Sequence, residues 1–274
     1  MNPLEYWSPE GFEISSYKYS LRERVNQTYT TSGGDNTNLC IYTYNELGFR
    51  GDSIKKEGFK VMSLGCSITE GVGVNNNQTW SSNFTSLIPN GVDMNFGTGG
   101  RSNDFISRCL LTYYDLIKPD LVLIMYTNSQ RREIYTENDG VEPFMPTTSW
   151  GWLKNTEEGR EVQTHLVSLQ NNNADFINWY KNHLLIKYFL ETKKCNWLWN
   201  VQSGILRDYS EYNRFDGNYE MPFLDYGVDN VHPGPKHNYQ YSIRLFEHIK
   251  NNFREYLPSG LTQPPKKFNL IRLP

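Results

Sequence analysis

From Phe59 onward the chain alternates short apolar runs with longer amphipathic ones. "FKVMSL" reads as a strand. "QTWSSNFTSLI" follows with Trp80, Phe84 and Leu87 at helical spacing. "GVDMNF" is a second strand. "SNDFISRCLLTYYDLIK" is the clearest helix: Phe105, Cys109, Leu110, Tyr113, Leu116 and Ile117 make one apolar stripe, Ser102 or Asn103 supplies a cap, and Pro119 follows the end. "DLVLIMYT" is continuously apolar, the pattern of a strand buried on both faces of a parallel sheet. "ADFINWYKNHLLIKYFLETKK" predicts a further helix and "CNWLWNVQ" a further strand. A last helix is expected from about Lys236 to Tyr256, with Tyr241, Leu245, Ile249 and Phe253 on one face.

Repeated strand–helix alternation predicts an α/β fold, a doubly wound, flavodoxin-like parallel sheet flanked by helices. Three regions depart from the rhythm. Residues 1–58 read as an irregular N-terminal extension with a single strand candidate, "LCIYTY". Residues 130–175 are polar, with Pro, Gly, Trp150 and Trp152, and read as an insertion or lid inside a domain spanning 59–257. Residues 258–274 form a Pro-rich tail, expected to run extended over the surface or a partner, and offer a route to an oligomer.

Composition narrows the class. With a formal charge of -3 over 274 residues, the chain lacks the basic excess of a nucleic-acid binder. The N-terminus has no basic segment followed by an apolar one, and no apolar run is long enough to span a membrane, so a cytoplasmic protein is expected. Cys40, Cys66, Cys109 and Cys195 are scattered without a C-x-x-C pair. They read as free thiols, and neither a metal site nor a cofactor is expected.

In doubly wound sheets, ligands sit beyond the carboxyl ends of the strands. Three polar turns fall there: "GCS" after Leu64, "GTGGRSND" after Phe96 and "TNSQ" after Tyr126. A fourth polar stretch, "YGVDNVHPGPKH", precedes the last helix. The first turn offers two nucleophiles, Cys66 and Ser67. A serine nucleophile needs a base, an orienting carboxylate and donors for the developing oxyanion. Ser67, His232 and Asp229 supply the first three; the backbone N–H groups of Ser67 and Gly100 and the amide of Asn128 supply the donors. Each piece alone has a plain structural reading as a turn residue or cap. The order of the pieces, each at an expected strand end or just before the last helix, is the stronger signal. Arg101, Arg131 and Arg132 follow the donor residues and are either anion-binding groups or solvent-facing arginines. His237 is a candidate neighbour of His232.

These segments resemble the signature blocks of the SGNH (GDSL-type) hydrolases. The first block, G-D-S-x-S/T-x-G, matches "GCSITEG", with Cys66 in place of the aspartate. "NFGTGG" matches the second block and gives Gly100. "YTNS" keeps the asparagine of the third as Asn128, with Tyr126 and Ser129 replacing its glycine and aspartate. "DNVH" gives Asp229 and His232. The similarity runs from about residue 44 to 254. It implies an SGNH-type fold and an ester hydrolase acting through an acyl-enzyme, with Ser67 rather than Cys66 as nucleophile. It further implies a small substrate such as an acetyl group on a carbohydrate, with Trp150 and Trp152 available to stack on a sugar. A catalytically degenerate binding or assembly module with the same fold is the alternative.

Overall fold

The computed structural model describes residues 24–32, 39–136, 140–144, 156–202, 213–215, 223–259 and 261. Its strands, in chain order, are β1 (Thr28–Ser32), β2 (Leu39–Thr43), β3 (Phe59–Leu64), β4 (Gly91–Asn95), β5 (Leu121–Tyr126), β6 (Arg132–Thr136), β7 (Gly140–Phe144) and β8 (Asn196–Val201). Its α-helices are α1 (Ser67–Glu70), α2 (Trp80–Ser86), α3 (Asn103–Ile117), α4 (Glu157–Leu169), α5 (Asn172–Lys193) and α6 (Pro235–Asn252).

Four strands pair in parallel in the order β4-β3-β5-β8, as the alternation of the sequence predicts. The unbroken apolar run of β5 is explained by its position: all six residues are buried. Successive side chains point to opposite faces. Val122, Ile124 and Tyr126 therefore join α3 and α5 in one core, with Phe105, Leu110, Trp179 and Ile186. Leu121, Leu123 and Met125 join α2 and α6 in the other, with Trp80, Phe84, Tyr241 and Leu245. The chain leaves β3 toward β4 on one side and returns to β5 on the other, which makes the carboxyl end of β3 the topological switch point.

Both edges of this sheet are occupied. Gly51 bridges Met94 and the Asp52 N–H donates to the Asp93 carbonyl (2.8 Å) beside β4. Beside β8, Trp199 N donates to Asn213 O (3.0 Å) and Phe215 N to Trp199 O (2.8 Å).

The N-terminal region holds more structure than the single strand expected there. β1 pairs antiparallel with β2. "TYTTS" has no apolar alternation to reveal a strand, although β-branched threonine suits one. The polar edge of β2 docks on loop 71–76: Asn75 Oδ1 accepts from Ile41 N–H (2.8 Å) and Asn76 Oδ1 from Thr43 N–H (3.1 Å). Arg50 is 1% exposed. It donates to the carbonyls of Glu70 (3.0 Å), Gly71 (2.6 Å) and Val74 (2.8 Å) and to Asn76 Oδ1 (2.9 Å).

In the insertion, β6 and β7 form a hairpin and α4 follows. The hairpin is pinned to α3 by a buried Arg108–Glu133 ion pair (2.5 Å) and by Glu133 N–H donating to Asp104 Oδ2 (2.9 Å). Trp150, Trp152 and all but residue 261 of the tail beyond Ser259 lie outside the described residues. The last helix ends at Asn252, four residues before the expected Tyr256. Phe253 leaves helical geometry (φ -143°), and Arg254–Tyr256 close a 3-10 turn. Among the described residues no helix is long and apolar enough to cross a membrane.

Leu123, 2% exposed at the middle of β5, tests this layering. Leu123→Ala is expected to lower the unfolding free energy by about 2–5 kcal/mol, read from urea denaturation at neutral pH.

Candidate active site

The switch point gathers the polar turns that the sequence singles out. Leu64 ends β3, Gly65 and Cys66 turn the chain, and Ser67 opens α1. The turn after β4 lies directly on this one. Asn95 is the hinge: its Nδ2 donates to Thr69 O (2.7 Å) while its Oδ1 accepts from Gly97 N–H (2.9 Å). Thr98 N–H donates to Gly65 O (3.2 Å). A side chain at position 97 would collide with the Glu70 nitrogen and the Thr69 backbone, so only glycine allows this approach. The turn after β5 is tied in by a reciprocal pair: Asn103 Nδ2 donates to Thr127 O (3.2 Å) and Thr127 N–H to Asn103 Oδ1 (3.0 Å).

The fourth stretch reaches the same place through the loop after α1. Gly71 and Val72 N–H both donate to Ser67 O, and Val228 N–H donates to Gly73 O (2.9 Å). Gly73 has φ +85°, and a Cβ there would sit 2.8 Å from Asp229 Oδ1. The carboxylate thus rests against bare backbone, one loop away from Ser67.

Asp229 and His232 form a built pair. The imidazole Nδ1 lies 2.5 Å from Asp229 Oδ2, while His232 N–H (3.0 Å) and Val231 N–H (3.1 Å) donate to Oδ1. Burial pushes the Asp229 carboxyl up, but these hydrogen bonds outweigh it and hold it at about 2. An ionised carboxylate only accepts, so Nδ1 carries the proton in this bond and Nε2 is the ring nitrogen left for another partner. No hydrogen bond joins Ser67 Oγ to His232 among the described residues. Ser67 Oγ instead lies 3.8 Å from Cys66 Sγ.

Three donors that the sequence singles out are unspent. The N–H groups of Ser67 and Gly100 have no acceptor among the described residues. Gly100 adopts φ +71°. Asn128 uses its Oδ1 to accept from Gln130 N–H (3.2 Å), which fixes the amide and leaves Nδ2 to donate.

The other candidates are committed elsewhere. Cys66 is 1% exposed and its thiol donates to Gln202 Oε1 (2.9 Å) at the end of β8. Arg101 is buried with its guanidinium 4.9 Å over the Phe105 ring, and Arg131 donates to the Arg101 carbonyl (3.4 Å). Arg132 pairs with Asp175 (2.9 Å). His237 accepts from Leu224 N–H (3.2 Å) through Nδ1 and anchors the loop at 223–225. No group of His, Cys, Asp and Glu among the described residues is arranged to hold a metal ion.

Sequence reasoning passed over Arg50, Glu70, Gly73 and Gln202. The partners that seat them are distant in sequence, from 20 residues for Arg50 with Glu70 and 136 for Gln202 with Cys66 to further still for Gly73 with Val228. Glu70 inside the first block and Gly73 just after it carry a positional hint.

No protein-family model and no curated protein matches the chain. Among solved structures it is similar to Est2A, an acetyl xylan esterase from the rumen bacterium Butyrivibrio proteoclasticus, at 13% identity and a TM-score of 0.44. The match covers 71% of this chain and 64% of that one, so the chain spans less than two thirds of that esterase. It is also similar to a carbohydrate acetylesterase family member from Sinorhizobium meliloti, at 13% identity and a TM-score of 0.33, over 71% of this chain and 99% of that one.

The depressed Asp229 carboxyl gives a signed pH expectation. Its folded-state value of about 2 lies below the ordinary 3.8, so the ionised form stabilises the fold. That contribution is complete above the ordinary value and is lost as pH falls through about 2. The stability gap between wild type and Asp229→Asn should be equal at pH 7 and 5 and narrow by pH 3, measured by urea unfolding.

Proposed function

We propose that this chain is a serine ester hydrolase working through an acyl-enzyme. The observation that carries the reading is the His232–Asp229 pair, laced through Gly73 to the turn that presents Ser67, together with three donors, Ser67 N–H, Gly100 N–H and Asn128 Nδ2, that the described residues leave unspent. Ser67 Oγ attacks the acyl carbonyl carbon while its proton passes to His232 Nε2. The carbonyl oxygen becomes an oxyanion held by Ser67 N–H, Gly100 N–H and Asn128 Nδ2. As the intermediate collapses, the bond to the leaving alkoxide breaks and His232 returns the proton to that oxygen. Water then attacks the acyl-serine, with His232 as base, and the freed acid leaves. Asp229 keeps the ring in the productive tautomer and stabilises the imidazolium. The motif resemblance favours a short acyl group, acetyl on a carbohydrate or similar alcohol, as substrate.

Ser67→Ala is expected to lower turnover on the order of a millionfold, measured on p-nitrophenyl acetate, and to abolish labelling by a fluorophosphonate. Labelling that persists in Ser67→Ala but vanishes in Cys66→Ala would move the nucleophile to the thiol. An unlabelled, inactive wild type would leave a non-hydrolytic binding module.

Asn128→Ala is expected to lower kcat about a hundredfold with KM little changed, because an oxyanion donor acts mainly in the transition state. Wild-type turnover in this variant would reduce Asn128 to a turn residue.

A further inference from the structure

The turn carrying Gly100 rests on a buried carboxylate that the reaction scheme does not use. Glu70 is 3% exposed. Its Oε1 accepts from Arg24 Nη1 (3.1 Å) and from the Tyr44 hydroxyl (3.3 Å). Its Oε2 accepts from Gly99 N–H at 2.6 Å. A carboxylate this deep is costly unless it is paired and fully hydrogen-bonded. Here the counter-charge and one hydroxyl come from the N-terminal region, and the remaining oxygen is aimed at the backbone next to the proposed oxyanion donor.

The geometry fixes a peptide plane. A short N–H···O⁻ bond is among the stronger hydrogen bonds in a protein. It orients the peptide between Thr98 and Gly99, and Thr98 N–H is already held by Gly65 O (3.2 Å). With both groups fixed, the next residue has little freedom. Gly100 turns left-handed, and its N–H is left without an acceptor among the described residues. Glu70 itself is set by the clamp around α1. The Glu70 N–H donates to Cys66 O (2.9 Å), and the Glu70 carbonyl accepts from Arg50 (3.0 Å).

We infer that Glu70 is the positioning residue of the oxyanion hole: it holds the Gly99 peptide so that the Gly100 N–H faces the acyl oxygen, and Arg24 and Tyr44 of the N-terminal region hold Glu70. The inference rests on the serine hydrolase reading above. Pairing with Arg24 also offsets the negative charge of Glu70, which would otherwise oppose an oxyanion nearby.

The test compares wild type with Glu70→Ala, Glu70→Gln and Tyr44→Phe on p-nitrophenyl acetate. The concentration of active serine in each sample is titrated with a fluorophosphonate, so that loss of folded protein is removed from kcat. A boronic acid serves as a tetrahedral mimic. A misplaced donor costs rate without weakening ground-state binding. Glu70→Ala should lower kcat per titrated serine about 10- to 100-fold, leave KM within about twofold, and weaken boronate inhibition by the same factor as kcat. Glu70→Gln, which keeps an acceptor for Gly99 N–H, should recover part of that loss. Tyr44→Phe removes one hydroxyl and keeps the charge pair, so it folds even where Glu70→Ala does not. It should lower kcat about two- to fivefold with boronate affinity following. Unchanged kcat per titrated serine in Glu70→Ala, or in both Glu70→Gln and Tyr44→Phe where Glu70→Ala does not fold, would overturn the inference and leave Glu70 a structural residue. A wild type that neither hydrolyses the ester nor takes up the phosphonate would instead overturn the serine hydrolase reading, and this inference with it.

Discussion

A single buried guanidinium organises the region where the turns meet. Arg50 has no access to water and must find its acceptors inside the protein. It finds three backbone carbonyls and one side-chain amide, all between Glu70 and Asn76, and stacks 4.2 Å over the Tyr42 ring. A planar cation with a rigid fork of donors imposes a curve on the chain that wraps it. That curve brings Gly73 to Val228 on one side and Glu70 to Gly99 on the other. Without the cation, the carbonyls of this loop would turn outward to water, and both junctions would loosen together.

The fold was legible because burial leaves a local signature. A strand covered on both faces must be apolar at every position, and Leu121–Tyr126 is. A helix covered on one face shows a stripe, and α3 and α6 do. Where the local signature fails, the reading fails. β1 is built of threonine, serine and tyrosine, so it does not read as a strand, whereas its partner β2 is legible in "LCIYTY" although Leu39 and Ile41 are exposed. The sequence extends α6 too far because the apolar spacing runs on through Phe253, while the backbone at that residue has already left the helix.

The candidate site divides in the same way. Ser67, Gly100, Asn128, Asp229 and His232 stand out by residue type and by position at strand ends, which the order of blocks along the chain supplies. The groups that seat them do not. Arg24 reaches Glu70 across 46 residues, and Cys66 reaches Gln202 across 136. Such hydrogen bonds have no period and no motif, since any arginine or glutamine would look the same in the sequence. The arginines next to Gly100 and Asn128 illustrate the converse. They stand beside Gly100 and Asn128 in the sequence, but Arg101 is buried over Phe105 and Arg132 is paired with Asp175.

The occupied edges of the sheet bear on how this protein meets other chains. A bare edge strand offers a row of unpaired N–H and C=O groups to any extended segment, including a second copy of itself. Here residues 51 and 52 take up Met94 and Asp93 on β4, and residues 213 to 215 take up Trp199 on β8. At those positions the central sheet has no backbone groups left to share. Association by strand addition is therefore closed to the central sheet at those positions. The same two caps guard the central sheet, at those positions, against the stacking that turns an exposed β-edge into an aggregate, and the strand carboxyl ends are left to the turns that carry Ser67, Gly100 and Asn128.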